Sequence, residues 1–202
     1  MGVWESICID MNLVTFCTPK YRPIYNKHAR ASIERVGITE HKHFDLLCEY
    51  SWLDATNKKP GIIREELSNG SVLYIDADAE IQSASVMDID SIVPKKYVAA
   101  CVFLDWGKWY GIKSKTIEPL TATLFFRQSA IPLVDSWIKL CERSADHDGI
   151  NWAKAIADRD DVYELPLSWC YINDTPSGVK GRIPCDKPLI KQYQASRKMK
   201  LQ

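Results

Sequence analysis

The sequence predicts an α/β fold: one domain with a mostly parallel central sheet flanked by helices. Short β-prone apolar runs alternate with segments of helical spacing along the chain, the pattern of strand–helix–strand units. No repeat, low-complexity tract or linker divides the 202 residues, and 46% hydrophobic residues are enough for one sizeable core. The expected domain is therefore 1–202, with 178–202 as its basic, irregular C-terminal segment.

Taken in order, Ile7 to Phe16 reads as a buried strand that breaks at Thr18-Pro19-Lys20-Tyr21-Arg22-Pro23, a loop by its two prolines. From Tyr25 to Val36, Ala29, Ile33 and Val36 recur at helical spacing, and Gly37 stands where a helix stops. Phe44 to Trp52 is a second strand candidate, which makes His41-x-His43 a polar loop entering it. Pro60 opens a short helix over Gly61 to Leu67, and Asn69-Gly70 turns the chain into the strand Ser71 to Ile75. Tyr97 to Leu104, Thr121 to Phe126 and Val162 to Leu165 read as further strands; Ile131 to Cys141 and Ile150 to Ile156 read as helices.

Lys plus Arg and Asp plus Glu number 26 each, so no global charge holds a polyanion and nucleic-acid binding would need a local patch. The first residues carry no basic n-region or apolar h-region, and no apolar run approaches the ~20 residues of a membrane span. Seven scattered cysteines without a Cys-x-x-Cys pair read as reduced, mostly buried thiols. These features together predict a cytoplasmic protein with no membrane partner.

In open α/β sheets ligands bind beyond the carboxyl ends of the strands. There the run Val72–Ile75 leads straight into Asp76-Ala77-Asp78. In extended backbone the first and third residues point the same way, so both carboxylates can face one ion. Hard Mg²⁺ or Mn²⁺ prefers such oxygens and completes its shell with substrate phosphates. Asp88-Ile89-Asp90 and Asp146-His147-Asp148 have the same spacing without a strand before them, and an isolated triplet is often a solvated turn.

Lys59-Pro60-Gly61-Ile62-Ile63, Val72 through Ile81, Thr121 through Arg127, Asp146-His147-Asp148-Gly149-Ile150-Asn151, Glu164-Leu165-Pro166 and Lys191 through Arg197 occur in an order that resembles the GT-A-fold glycosyltransferases with a DxD motif. The resemblance spans most of the chain from Val14 to Arg197. It implies a GT-A-like, Rossmann-like domain, a nucleotide-diphosphate sugar donor with UDP-sugar foremost, and a Mn²⁺ or Mg²⁺ cofactor. By the same resemblance Asp78 coordinates the metal, and Asp76 contacts the ribose or the ion. Thr15, Phe16, Thr18 and Tyr21 hold the nucleotide; Phe16 reads equally as core. Lys59 or Arg64 binds phosphate, or is simply solvated. Asp146 and Asp148 are the candidates for a carboxylate near the sugar or the acceptor hydroxyl, a base if the enzyme inverts the anomeric centre. Either one also suits the N-cap of the following helix.

Two positions depart from the family pattern. His147 stands where relatives carry Gln, and Gln192 where many place a metal-binding His, so the third protein ligand is Gln192, another residue such as Asp186, or absent. Trp106, Trp109 and Tyr110, bracketed by glycines, form either a closing loop or packing on the sheet edge. Lys180, Arg182, Lys187, Lys191, Arg197, Lys198 and Lys200 make either a solvated tail or a phosphate-tracking patch, the latter suited to a modified base in phage DNA. A saccharide or another acceptor is equally open. The competing functions are a sugar-phosphate nucleotidyltransferase, which usually has a glycine-rich loop after the first strand, and a non-catalytic binding module of the same fold.

Overall fold

The computed structural model describes residues 11–48, 50–111, 113–173 and 183–193. The chain begins with β1 (Met11–Cys17), then a continuous helical stretch of a 3-10 turn (Pro19–Tyr21), α1 (Arg22–Tyr25), a π-helical segment (Asn26–Arg30) and α2 (Ala31–Val36). Gly37 closes α2 in the left-handed conformation, φ 76°, where a side chain would be strained. Next come β2 (His41–Asp45), α3 (Trp52–Thr56), α4 (Lys59–Glu66), β3 (Ser71–Ile75), β4 (Ala79–Ile81) and α5 (Ile89–Ile92). The second half holds β5 (Ala99–Asp105), α6 (Trp106–Tyr110), β6 (Ile117–Phe126), α7 (Ile131–Arg143), α8 (Asp148–Ile156), β7 (Val162–Glu164), β8 (Tyr171–Ile172) and β9 (Ile190–Gln192).

Six strands form the central sheet in the order β2-β1-β3-β6-β5-β7. Only β6 is reversed; β1 pairs in parallel with β2 and β3, and β5 in parallel with β7. The carboxyl ends of the five co-directional strands therefore share one edge. A small sheet, β4-β9-β8, lies just beyond β3.

Strand alternation splits the core between two faces. Leu13, Leu73, Ile75 and Phe125 pack with Tyr25, Ala29 and Ile33 of the first helical stretch. Val14, Val72, Tyr74, Leu124 and Phe126 pack with Ile63 of α4, Val134 and Trp137 of α7, and Trp152 of α8. Phe126, Trp137 and Trp152 form a ring cluster with centroids 5.0–6.5 Å apart. Arg127, just past β6, staples the α5 region to the sheet. Its guanidinium donates to Asp90 Oδ1 at 2.7 Å and to the backbone carbonyls of Asp90, Val93, Pro94 and Tyr97.

Several boundaries differ from the sequence reading. Phe44 to Trp52 is not one strand: β2 ends at Asp45, and Ser51 instead caps α3, its hydroxyl accepting from Asp54 N at 3.1 Å. His41 and His43 lie within β2 rather than in a loop; β2 is an edge strand pairing only with β1, so polar residues are tolerated. The two-proline segment 18–23 is helical from Pro19 onward, because both prolines occupy first-turn positions where no N–H is needed. Of the basic C-terminal segment, Lys187 and Lys191 are described, with Lys191 in β9; Lys180, Arg182, Arg197, Lys198 and Lys200 lie outside the described residues, as do 7–10 of the first expected strand. Among the described residues no helix is long and apolar enough to cross a membrane.

Candidate active site

A cavity of about 420 Å³ opens over the carboxyl edge of the sheet, within the usual range for small-molecule sites. It is lined from β1 and the turn after it by Phe16, Cys17, Thr18 and Tyr21, and from α4 by Lys59. The β3 strand contributes Tyr74 and the turn after it Asp76, Ala77 and Asp78; the start of α8 contributes Asp148, and β9 contributes Gln192.

Lys59 is the electrostatic centre. The first turn of α4 carries it into the interior, where its Nζ lies 2.8 Å from Asp148 Oδ2 and 3.1 Å from Asp76 Oδ1. The same ammonium donates to the Thr121 carbonyl at 3.0 Å and sits 5.1 Å from the Tyr74 ring centre. Burial works against its charge, but Asp148 and Asp76 overcome burial and raise the ammonium above its ordinary value. Burial likewise opposes the charge on Asp148, yet Lys59 beside it holds the carboxyl well below the usual carboxylate range. Both groups are thus ionised across the physiological range. Asp76 also accepts from the Tyr74 hydroxyl at 2.8 Å. Burial, and then Asp76, push that phenol well up. Burial raises Tyr21 as well, and the carboxylates of Asp78 and Asp76 add to the rise.

Asp148 is held from its backbone side too. Trp137 Nε1 donates to the Asp148 carbonyl at 3.0 Å, and His147 caps α8 by accepting from Gly149 N through Nδ1 at 3.1 Å. The cap is thus His147, in place of either expected aspartate. Asp146 points away from the cavity: Lys154 and Ser144 bind its carboxylate at 2.7 and 2.8 Å. Its carbonyl accepts from Asn57 and Asn151.

Phe16, Thr18, Tyr21, Lys59, Asp76, Asp78, Asp148 and Gln192 therefore share one cavity, while three expected residues do not join them. Besides Asp146, Thr15 is fully buried on the opposite side of β1 from Phe16, its hydroxyl between His41 and His43. Arg64 lies on the outer side of α4, its Nε donating to Asp135 of α7 at 2.7 Å. Trp106 lines the cavity from α6, whereas Trp109 is packed in the core. His147, noted from sequence as a departure from the family pattern, also faces the space, as do two residues not singled out from sequence: Trp52, and Glu118, which accepts from Trp106 Nε1 at 2.6 Å. Glu118 was recoverable in principle, since the strand alternation of Thr121 to Phe126 extends back through it.

The resemblance to GT-A-fold glycosyltransferases implies a divalent ion, and the residues present fit one. Asp76, Asp78 and the Gln192 amide offer only hard oxygen donors. Gln192 Nε2 donates to Ala122 O and Thr123 Oγ1, while its buried Oε1 has no hydrogen-bond partner among the described residues. An orphaned buried acceptor is costly unless something outside the chain satisfies it.

No protein-family model and no curated protein sequence matches the chain. Solved structures do match. A glycosyltransferase involved in the glycosylation of the major capsid of PBCV-1 superposes with a TM-score of 0.61 at 12% identity, over 95% of this chain and 98% of that one. Mouse xyloside xylosyltransferase 1 gives 0.58 at 10% identity, over 93% and 99%. The bifunctional glycosyltransferase WbbM gives 0.59 at 10% identity over 96% of this chain, which spans only 47% of WbbM. At these identities the likeness establishes the fold, and that fold is GT-A.

Proposed function

We propose that this GT-A domain is a metal-dependent glycosyltransferase that moves a sugar from a nucleotide-diphosphate donor, UDP-sugar foremost, to an acceptor hydroxyl. The observation that carries the reading is the convergence of Asp76, Asp78, Lys59-anchored Asp148 and the unsatisfied Gln192 Oε1 on one cavity at the carboxyl edge.

In this reading Asp78, Gln192 and the free face of Asp76 hold Mn²⁺ or Mg²⁺, which when bound neutralises charge on the departing diphosphate. Tyr74 and Lys59 orient Asp76. Phe16 and Tyr21 offer rings on which a flat base can rest, with Thr18 beside them. Asp148 is a poor general base, because a carboxyl held well below the ordinary range gives up little on meeting a proton. Its role is to accept from a hydroxyl of the transferred sugar and to stabilise positive charge growing at the anomeric carbon. The acceptor is open among a saccharide, a protein side chain, a lipopolysaccharide precursor and a modified base in DNA.

The test incubates the protein with Mn²⁺ and a panel of nucleotide sugars and measures free nucleoside diphosphate, with and without saccharide or hydroxymethylated DNA. In parallel, a nucleoside diphosphate at ~100 times Kd adds about 2.7 kcal/mol. That amounts to roughly 5–10 °C in a domain of this size. Asp78→Ala abolishes this metal-dependent shift while leaving the metal-free melting temperature within ~2 °C. Turnover of no donor, or a shift indifferent to chelation, rejects the assignment.

A further inference from the structure

A second group of metal-ligating side chains sits at the rim of the cavity, where β1 and β2 end. Cys17, His43 and Asp45 each turn one ligand atom to a common point. Cys17 Sγ lies 3.5 Å from His43 Nε2 and 3.8 Å from Asp45 Oδ1, and Nε2 lies 3.3 Å from Oδ1. Tetrahedral zinc, with Zn–S about 2.3 Å and Zn–N and Zn–O about 2.1 Å, requires separations of about 3.6, 3.6 and 3.4 Å between the same atom pairs. The observed triangle departs from that by about 0.2 Å or less.

We propose that Cys17, His43 and Asp45 form a site for a borderline-soft divalent cation, zinc or cobalt in class, with the fourth position open. The site is separate from the hard-oxygen set at Asp76 and Asp78.

Parallel pairing in register creates the triangle: Thr15 stands opposite His43 and Cys17 opposite Asp45, so alternate residues of both strands share one side. The imidazole is oriented by two independent contacts. The Tyr25 ring stacks on it with centroids 3.6 Å apart and planes 10° apart. Thr15 Oγ1 lies 2.7 Å from His43 Nδ1 and 3.0 Å from His41 Nε2. With His43 Nδ1–H donating to Thr15, and the Thr15 hydroxyl donating to His41, the Nε2 lone pair faces Cys17 and Asp45. An outer-shell partner on the second ring nitrogen is how ligating histidines are ordinarily fixed. Charge also matches. A thiolate and a carboxylate carry two negative charges, and Arg22, paired with Asp45, supplies one positive charge from a half-exposed side chain. Arg22 contacts the same Oδ1 that faces Cys17 and His43, so a bound cation shares that oxygen with Arg22 through its second lone pair. An ion here ties β1 to β2 immediately before Thr18 and Tyr21 reach the cavity.

The test is a Co²⁺ titration of the full chain, followed by absorption. A single equivalent produces a thiolate-to-cobalt charge-transfer band in the near ultraviolet and intense tetrahedral bands in the visible, and Zn²⁺ bleaches both. Cys17→Ser loses the charge-transfer band, and His43→Gln weakens cobalt binding at least ~10-fold. Cys48→Ser and Asp78→Ala retain the full spectrum. Absence of the charge-transfer band in the wild type overturns the proposal. So does its survival in Cys17→Ser, or its loss in Cys48→Ser or Asp78→Ala. Should Cys17→Ser fail to fold by circular dichroism, the loss of cobalt affinity in His43→Gln and in Asp45→Asn decides. Because Asp78→Ala is a retained-signal control, failure here leaves the glycosyltransferase reading untouched, and the reverse holds as well.

Discussion

Lys59→Met isolates the one cation that the cavity carboxylates share. At 2.8 Å and an effective dielectric constant of about 20, the Lys59–Asp148 attraction alone is about 6 kcal/mol, offset by several kcal/mol of desolvation for each ion. Methionine fills a similar volume but leaves Asp148 buried without a counter-charge, and removing one partner of a buried pair costs about 3–5 kcal/mol. With a urea m-value of about 3 kcal/mol/M, the unfolding midpoint at pH 7 drops by about 1 M or more. The sign of the pH dependence follows from the direction of the Asp148 shift. In the wild type the depressed folded value contributes stability above the unfolded value of about 3.9, and this is lost as pH falls through the folded value. In Lys59→Met the folded value rises above 3.9, so the deficit is largest at neutral pH and shrinks as acid protonates Asp148. Lys59→Met/Asp148→Leu recovers most of the loss, since a buried pair replaced as a whole is close to neutral. Urea unfolding at pH 7 and pH 5 checks all of this. A deficit below ~1 kcal/mol at pH 7, or one equal at both pH values, refutes the picture of Lys59 as the shared counter-ion.

Arg127→Ala removes the donor shared by Asp90 Oδ1 and four backbone carbonyls, leaving Lys95 on the Asp90 carboxylate and Tyr97 N on the Pro94 carbonyl, and lowers stability by about 3–5 kcal/mol by urea unfolding; Arg127→Lys recovers less than half, because an ammonium lacks the planar fork. Arg64→Ala, which removes a partly exposed pair with Asp135, costs at most about 1 kcal/mol and leaves the nucleoside-diphosphate thermal shift intact; loss of that shift would return Arg64 to the donor site.

Sequence made the β3 region legible because all its signals are local. Asn69-Gly70 supplies the turn, Ser71 to Ile75 the β-prone run, and two acids follow at the carboxyl end. The direction of β6 was hidden, since period-2 alternation reads the same both ways and only its neighbours reveal the reversal. The β4-β9-β8 sheet left no trace, because its strands are only two or three residues long and β4 pairs with β9 across more than a hundred positions. Phe44 to Trp52 misled through aromatic content, while the Ser51 cap within it carried the true information. Asp146 and Asp148 looked equivalent because the resemblance marks the segment without choosing between them. The helix begins at Asp148, and the chain turns at the His147 cap, so one acid enters the cavity and the other meets Lys154 outside.

Charge balance then separates the roles of the cavity acids in the proposed reaction. Around Lys59, the cluster of Asp76, Asp78 and Asp148 carries three negative charges against one positive charge, an excess of two within that cluster that a single divalent ion offsets. Lys59 already occupies one side of Asp76, so in this reading its other face and the Asp78 carboxylate hold that ion together. The ammonium also keeps Asp148 ionised and weakly basic. An inverting reaction needs a carboxylate able to take the acceptor's proton, and among the acids lining the cavity Glu118 is the one that neither Lys59 nor the proposed ion engages. Its hydrogen bond from Trp106 Nε1 holds it against a ring suited to an acceptor sugar. A retaining reaction needs no such base, so the stereochemistry of the product and the activity of Glu118→Gln must agree: a retained anomer with activity kept, or an inverted anomer with activity lost.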